Sequence, residues 1–269
     1  MHGTPIIELF GLRFDLSVLI MLLVTCVTVF TIAKIATRNL SVENPGKMQN
    51  VLEMIAEFIR DMISSTMDWK KGKVYLSLGM TLIMFVFVAN VLGLPFAIVT
   101  EHDRPGTFFG QEIVSTNDAA FEKAKAALEA KGKDPSEAHI GLLWWKSPTA
   151  DASVSMGLAF MIFLLVHALG LFTNTKNYLK HYFQPSILFF PIHLMEVVAK
   201  LLTHGMRLFG NIFAGEVLIS VLISAGAFAI PGLVVWQGFS IFVGTIQAFV
   251  FTILTMVYIG QSINTHEEH

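Results

Sequence analysis

Charged residues are scarce in this chain, at 14% of 269 residues, well below the roughly 25% of soluble domains. The net charge of −2 gives a nucleic-acid partner no footing. The single cysteine, Cys26, lies inside an apolar run, so there is no internal disulfide framework. It reads as ordinary helix packing, since a free cysteine behaves as a small hydrophobe. No hydrolase elbow, phosphate loop, dinucleotide fingerprint or HExxH motif is present, so a self-contained enzyme is not expected, nor is a bound cofactor or metal. No internal repeat is visible, which leaves an inverted-repeat transporter without support. The first apolar run is followed by Lys34 and Arg38 rather than by a small-residue cleavage site, so it reads as a retained span.

What remains is apolar. Hydrophobic residues make up 54% of the chain, and the mean hydropathy is +0.64. A bilayer core needs roughly 20 apolar residues of helix. Five regions meet that length, at about 16–36, 74–99, 152–173, 187–227 and 232–262. The chain therefore reads as an all-α integral membrane protein, one membrane domain over 1–269. Between the first two spans, a helix over about 47–69 places Val51, Met54, Ile55, Phe58, Met62 and Ile63 on one stripe, with Glu53, Glu57, Arg60 and Asp61 on the rest. This is the pattern of an amphipathic helix at the membrane interface, or of one seated in a partner groove. Pro45-Gly46 marks its start.

The stretch 100–151 is different in kind. It is rich in alanine and mixed charge, favours a short exposed helix ended by Gly132 and Pro135, and reads as a solvated external insertion without chemistry of its own. Lysine and arginine concentrate in the loop 34–73, with Lys176 and Lys180 in 174–185. Both loops are expected inside, which puts the N-terminus and the insertion outside and the C-terminal THEEH inside.

The fourth span is too long and too polar. As a continuous helix, 187–227 would run roughly 60 Å, against a hydrocarbon core of roughly 30 Å. His193, Glu196, Lys200, Arg207 and Asn211 fall within about 60° of one line at about 100° per residue. Thr203 and His204 lie among them. A charge at mid-bilayer costs at least ~2.5–3.5 kcal/mol, so this stripe must face protein or water. Glu216 lies nine residues beyond Arg207 and belongs to another wall of the helix. In the last span Ser240 and Gln247, seven apart, share a face with each other. Gly238 and Gly244 allow close helix approach there, and AIPG at 229–232 provides the preceding turn.

Arg207 cannot carry protons at any working pH. It can hold a partner carboxylate ionised or repel passing cations. Glu216 and Glu196 are too far along the helix for an i,i+4 bridge, so its partner is not obvious within the chain. His193 and Glu196 stand at a spacing that can ligate metal. Two neighbouring cations disfavour that, and a hydrated proton path suits the pair better. His167 reads as a helix-interface histidine.

RLFGNIFAGE at 207–216 closely resembles the signature of subunit a of the rotary ATP synthase membrane sector, bacterial type. VANVLGLP at 88–95, LWWKSPTAD at 143–151, NTKNYLKHYFQP at 174–185 and IQAFVFTILTMVYI at 246–259 extend the resemblance over most of the chain. The insertion at about 101–141 lies outside it. The resemblance implies two long, steeply tilted helices against a rotating ring of c subunits. Peripheral-stalk b subunits, the catalytic head and the lipid bilayer are further partners. It implies that Arg207 faces the ring carboxylate and that two aqueous half-channels reach the ring from opposite sides. Asn211, Glu216 and Gln247 match the outer one, and His193, Glu196, Lys200 and Thr203 the polar stripe of the inner one. Family members often titrate where this chain has Ser240, and a second acidic position appears here as Gly93, which leaves Glu216 as the main titrating group outside. The location implied is the bacterial plasma membrane. The competing reading is a self-contained transporter or channel with an Arg–Glu gate. A purely structural scaffold leaves the polar stripe unexplained.

Overall fold

A computed structural model describes residues 4–94, 98–102, 106–108, 111–129, 134, 138–183, 187–224 and 230–264. Gly132, Pro135, Ala229 and the C-terminal THEEH lie outside the described residues, whereas Ile230, Pro231 and Gly232 of the expected AIPG turn instead form the start of the last helix. The fold is mostly helical. Helices are α1 (Leu16–Ala36), α2 (Lys47–Thr66), α3 (Trp69–Gly72), α4 (Leu76–Leu92), α5 (Asp118–Glu129), α6 (Ala152–Phe183), α7 (Phe190–Ser224) and α8 (Ile230–Asn264). Among the described residues, four stretches are helical, long and apolar enough to cross a membrane: Leu16–Ala36, Trp69–Leu92, Ala152–Phe172 and Ile230–Ile263. The region 187–227 is not among them; its helix, α7, carries Glu196, Lys200, Arg207 and Glu216.

Local chemistry explains the boundaries. Asp15 caps α1, its Oδ1 accepting from the amides of Ser17 and Val18 at 3.0 and 3.5 Å. Lys34 stands in the last turn, where a cation suits the helix dipole. The second span stops at Leu92 rather than near 99, because Gly93 closes the helix and Pro95 follows it in the sequence. The third helix runs on to Phe183, well past the expected boundary at 173. The polar residues of 174–183 end the apolar stretch without breaking the helical period.

Two packed clusters hold the bundle. Leu82, Val86, Ile162, Leu208, Ala248 and Phe251 join α4, α6, α7 and α8. Ile59, Met62 and Ile63 of α2 pack with Met256, Ile259 and Ile263 of α8. The α2 stripe is therefore divided: its C-terminal part is buried in this cluster, while Val51, Met54 and Phe58 are exposed. Gly244 does mark a close approach, a Cβ there meeting Asn90 at 3.2 Å. Gly238 does not, having nothing within 4 Å of such a Cβ.

The polar regions also contain strands that an all-α reading did not include. Among the described residues, two-stranded antiparallel ribbons form from β1 (Ile6–Leu9) with β2 (Leu12–Asp15), β3 (Val99–His102) with β6 (Ile140–Leu143), and β4 (Thr107–Phe108) with β5 (Gln111–Glu112). The first turns at Phe10 and Gly11, both with positive φ, 53° and 77°. It docks on the insertion through an Ile7–Ile113 bridge and a hydrogen bond from the Ile6 amide to Ser115 Oγ.

Candidate functional site

Halfway along α7, Arg207 is exposed, and among the described residues it forms no ion pair. Polar groups gather on either side of it in two separate sets.

On the C-terminal side lies a cavity of about 250 Å³, lined by Asn90, Ser147, Asn211, Glu216, Trp236 and Ser240 among others. Glu216 Oε1 accepts a hydrogen bond from the Ser147 amide at 3.0 Å. Ser147 Oγ donates to the carbonyl of Ala89 at 2.9 Å and lies 2.7 Å from Thr149 Oγ1. Thr149 donates to Asn90 Oδ1 at 2.7 Å, and Asn90 Nδ2 donates to the Gly244 carbonyl at 3.0 Å. Asn211 Nδ2 donates to Gln247 Oε1 at 2.8 Å. Among the described residues, buried Ser240 Oγ and Gln247 Nε2 have no hydrogen-bond partner, so polar capacity is left for water in this region. The Trp236 indole donates to the Gly215 carbonyl at 3.2 Å.

The stretch carrying Ser147 is pinned from outside. Lys146 Nζ lies 2.7 Å from Asp15 Oδ2 and 3.8 Å from Asp151 Oδ2. The first pair is only 12% and 17% exposed, so solvent screens it weakly. Burial works against ionising Asp15, but the Lys146 hydrogen bond, the Ser17 hydroxyl and the lysine's charge outweigh it and hold the carboxyl below its usual range. The reading of 100–151 as solvated throughout is thus corrected at its end, and within it Ile113, Thr116, Phe121 and Leu142 are buried too. Ser147, Pro148, Thr149 and Ala150 are buried, because this stretch turns back onto α4 before entering α6.

On the N-terminal side of Arg207 the groups are more open. Lys200 Nζ lies 2.8 Å from Glu196 Oε1, and His193 Nδ1 lies 3.9 Å from Glu196 Oε2. Lys200 also stands 5.9 Å over the Tyr258 ring. Thr203 is exposed. His204 is 3% exposed, stacked on Phe251 at 4.0 Å with Nε2 3.3 Å from Thr255 Oγ1. It fills the α7–α8 interface.

The ATP synthase A chain family model matches residues 18–260. The chain belongs to that family. Its relatives include ATP synthase subunit a of Priestia megaterium, 40% identical over 98% of both chains, and of Anoxybacillus flavithermus, 41% identical over the same shares. The subunit a of Listeria welshimeri is 42% identical, again over 98% of each. As a subunit a of ATP synthase, the chain is the proton-translocating part of the membrane sector and is not itself catalytic.

Of the residues singled out from the sequence, Glu216, Asn211 and Ser240 share one cavity, with Gln247 bonded to its wall. His193, Glu196 and Lys200 form the other set, and Thr203 joins neither through a hydrogen bond. Sequence reasoning missed Ser147, Thr149, Lys146, Asp15 and Trp236 as site residues. The only signal was the run of small polar residues in WKSPTAD just before an apolar helix.

Proposed function

We propose that the two polar sets are the two aqueous half-channels of a proton-conducting stator, with Arg207 between them facing a carboxylate of the c-ring. The observation that carries this reading is the separation itself. A cavity ending at Glu216 and an open Glu196–Lys200–His193 group occupy opposite ends of one helix, with a guanidinium between that forms no ion pair among the described residues. A proton entering by the outer cavity passes Glu216, Asn211 and Ser240 to the ring. The ring carries it around and releases it toward Glu196. Arg207 favours the ionised ring carboxylate and repels a proton that would cross directly. The membrane potential supplies about 2.3 kcal/mol per charge per 100 mV.

The helices α7 and α8, each of 35 residues, would run roughly 50 Å if straight. That length supports a steep tilt through a core of roughly 30 Å. In this reading α1, α4, α6, α7 and α8 are the five spans and α2 lies at the interface. The N-terminus and insertion face outward, the C-terminus faces the cytoplasm, and the membrane is the bacterial plasma membrane. The b subunits and the catalytic head complete the assembly.

The test is Arg207→Ala in the whole complex. The complex is expected to assemble, while ATP-driven proton pumping and ATP synthesis are abolished. Lysine should restore little, since it is a point charge that can lose its proton when buried. Normal coupled pumping in the alanine variant would refute the assignment.

A further inference from the structure

We infer that the backbone amide of Ser147, seated against Gly93, is a positioning group for Glu216 in the outer proton path. This deepens the half-channel reading and rests on it. A Cβ at Gly93 would meet Ser147 Cβ at 2.5 Å, its amide nitrogen at 2.6 Å and its Cα at 2.8 Å. Any side chain at 93 therefore competes for the space that the Ser147 backbone fills. The bare glycine lets the 146–150 stretch lie on the end of α4 and aim its N–H at Glu216 Oε1, 3.0 Å away.

Four further bonds hold that amide in place. The Trp145 indole donates to the Leu92 carbonyl at 2.6 Å and Ser147 Oγ to Ala89 at 2.9 Å. Thr149 donates to Asn90 at 2.7 Å, and Lys146 is clamped to Asp15 at 2.7 Å. An amide donates a hydrogen bond but does not exchange its proton on the path. It orients the carboxyl without becoming a stop for the passing ion, which a second acid at position 93 would be. Among the described residues the charged neighbour of Glu216 is Lys146. Lys146 comes from the same stretch, already engaged by Asp15 and Asp151. From α4 the neighbour is Asn90, and from α8 they are Trp236 and Ser240, none of which is charged.

The backbone permits a selective test. Ser147 has φ −62° and ψ 130°, the φ of a proline ring. Ser147→Pro deletes the N–H and the hydroxyl, while Ser147→Ala deletes the hydroxyl alone. Each whole complex is reconstituted in liposomes, and ATP synthesis is driven at constant membrane potential while the pH on the insertion side is varied. The alanine variant loses one of the four bonds that hold the amide, so it should fall by about 3-fold and shift its midpoint by less than half of what the proline variant shows. The proline variant should lose on the order of 10-fold more and shift its midpoint upward by about one unit, as removal of a donor to an ionised carboxylate requires. Coincident profiles for the two variants overturn the inference. If Ser147→Pro does not assemble, Gly93→Ala decides. Residue 93 has φ −72°, which alanine adopts freely, so its effect is the displacement of Ser147. The same upward shift is expected, and an unchanged profile overturns the proposal. Arg207→Ala runs alongside. Coupling retained there sinks the half-channel reading, whereas loss there with coincident proline and alanine profiles sinks only the role of the amide.

Discussion

Glu216 and Glu196 sit on one helix, 20 residues apart, in opposite kinds of surroundings. Glu216 lines a cavity and accepts from a backbone amide that is itself fixed by neutral hydrogen bonds and by the Lys146–Asp15 pair. Glu196 has a side chain 54% exposed and is met by two flexible partners, Lys200 and His193. Exposed ion pairs of the second kind contribute only about 0–1 kcal/mol and rearrange easily. In the proposed half-channel reading, the outer side works by fixed geometry around Glu216, and the inner side by several exchangeable groups, none of which has to be in one place.

The contrast predicts unequal sensitivity. The largest effect belongs to Glu216→Gln, which keeps shape but removes the titrating group. ATP-driven pumping should fall on the order of 100-fold, read by dye quenching in vesicles, and a loss below about 5-fold would erase the asymmetry. Next comes Asp15→Asn, which keeps the helix cap but loses the charge facing Lys146. It should lower the thermal stability of the subunit by on the order of 1–3 kcal/mol at neutral pH. Because the folded Asp15 carboxyl titrates below its usual range, its stabilisation is fully present above that range and is lost as pH falls through the lowered value. The acid-side decline of the parent should thus flatten in the variant, as a melting series from pH 3 to pH 7 would register.

Smaller still, Glu196→Gln should slow pumping only about 2–5-fold, since Lys200 and His193 remain. Thiol probes in a Cys26→Ser background sharpen the sidedness. An impermeant cationic reagent should reach Glu216→Cys or Gln247→Cys from outside only, and Glu196→Cys from inside only. Reaction of both from one side would end the two-path description. The smallest effect is expected from replacing 112–138 by a short Gly/Ser linker. The cut removes α5 and the strand contacts to the N-terminal hairpin, but spares β3, β6 and the 144–151 stretch. Proton flow should stay within about 2-fold.

The helices were legible because apolar length and helical period are local properties of the chain. So was the separation of Glu216 from the Arg207 stripe, which follows from 100° per residue alone. Where reading faltered, the cause differed each time. The end of α4 at Leu92 was signalled by Gly93 and Pro95, yet the apolar residues beyond them extended the apparent span. The run of α6 to Phe183 was hidden because polarity marks the edge of lipid rather than the end of a helix. The ribbons of two to four residues depend on partners far along the chain. Ser147 was invisible for the same reason: its contribution is a backbone amide, identical in every residue but proline, and only the return of 146–150 onto α4 aims it at Glu216.

Asp15 joins two events that occur at different times during synthesis. Its Oδ1 caps α1 through Ser17 and Val18, so the first helix can be finished as soon as it leaves the ribosome. Its Oδ2 waits for Lys146, 131 residues later, on the order of ten seconds at ~5–20 residues per second. The newborn first helix therefore needs no later partner to be capped at its N-terminus. Lys146 then meets a carboxylate already in place, and the cavity is walled later still, once α7 and α8 supply Asn211, Glu216, Trp236 and Ser240.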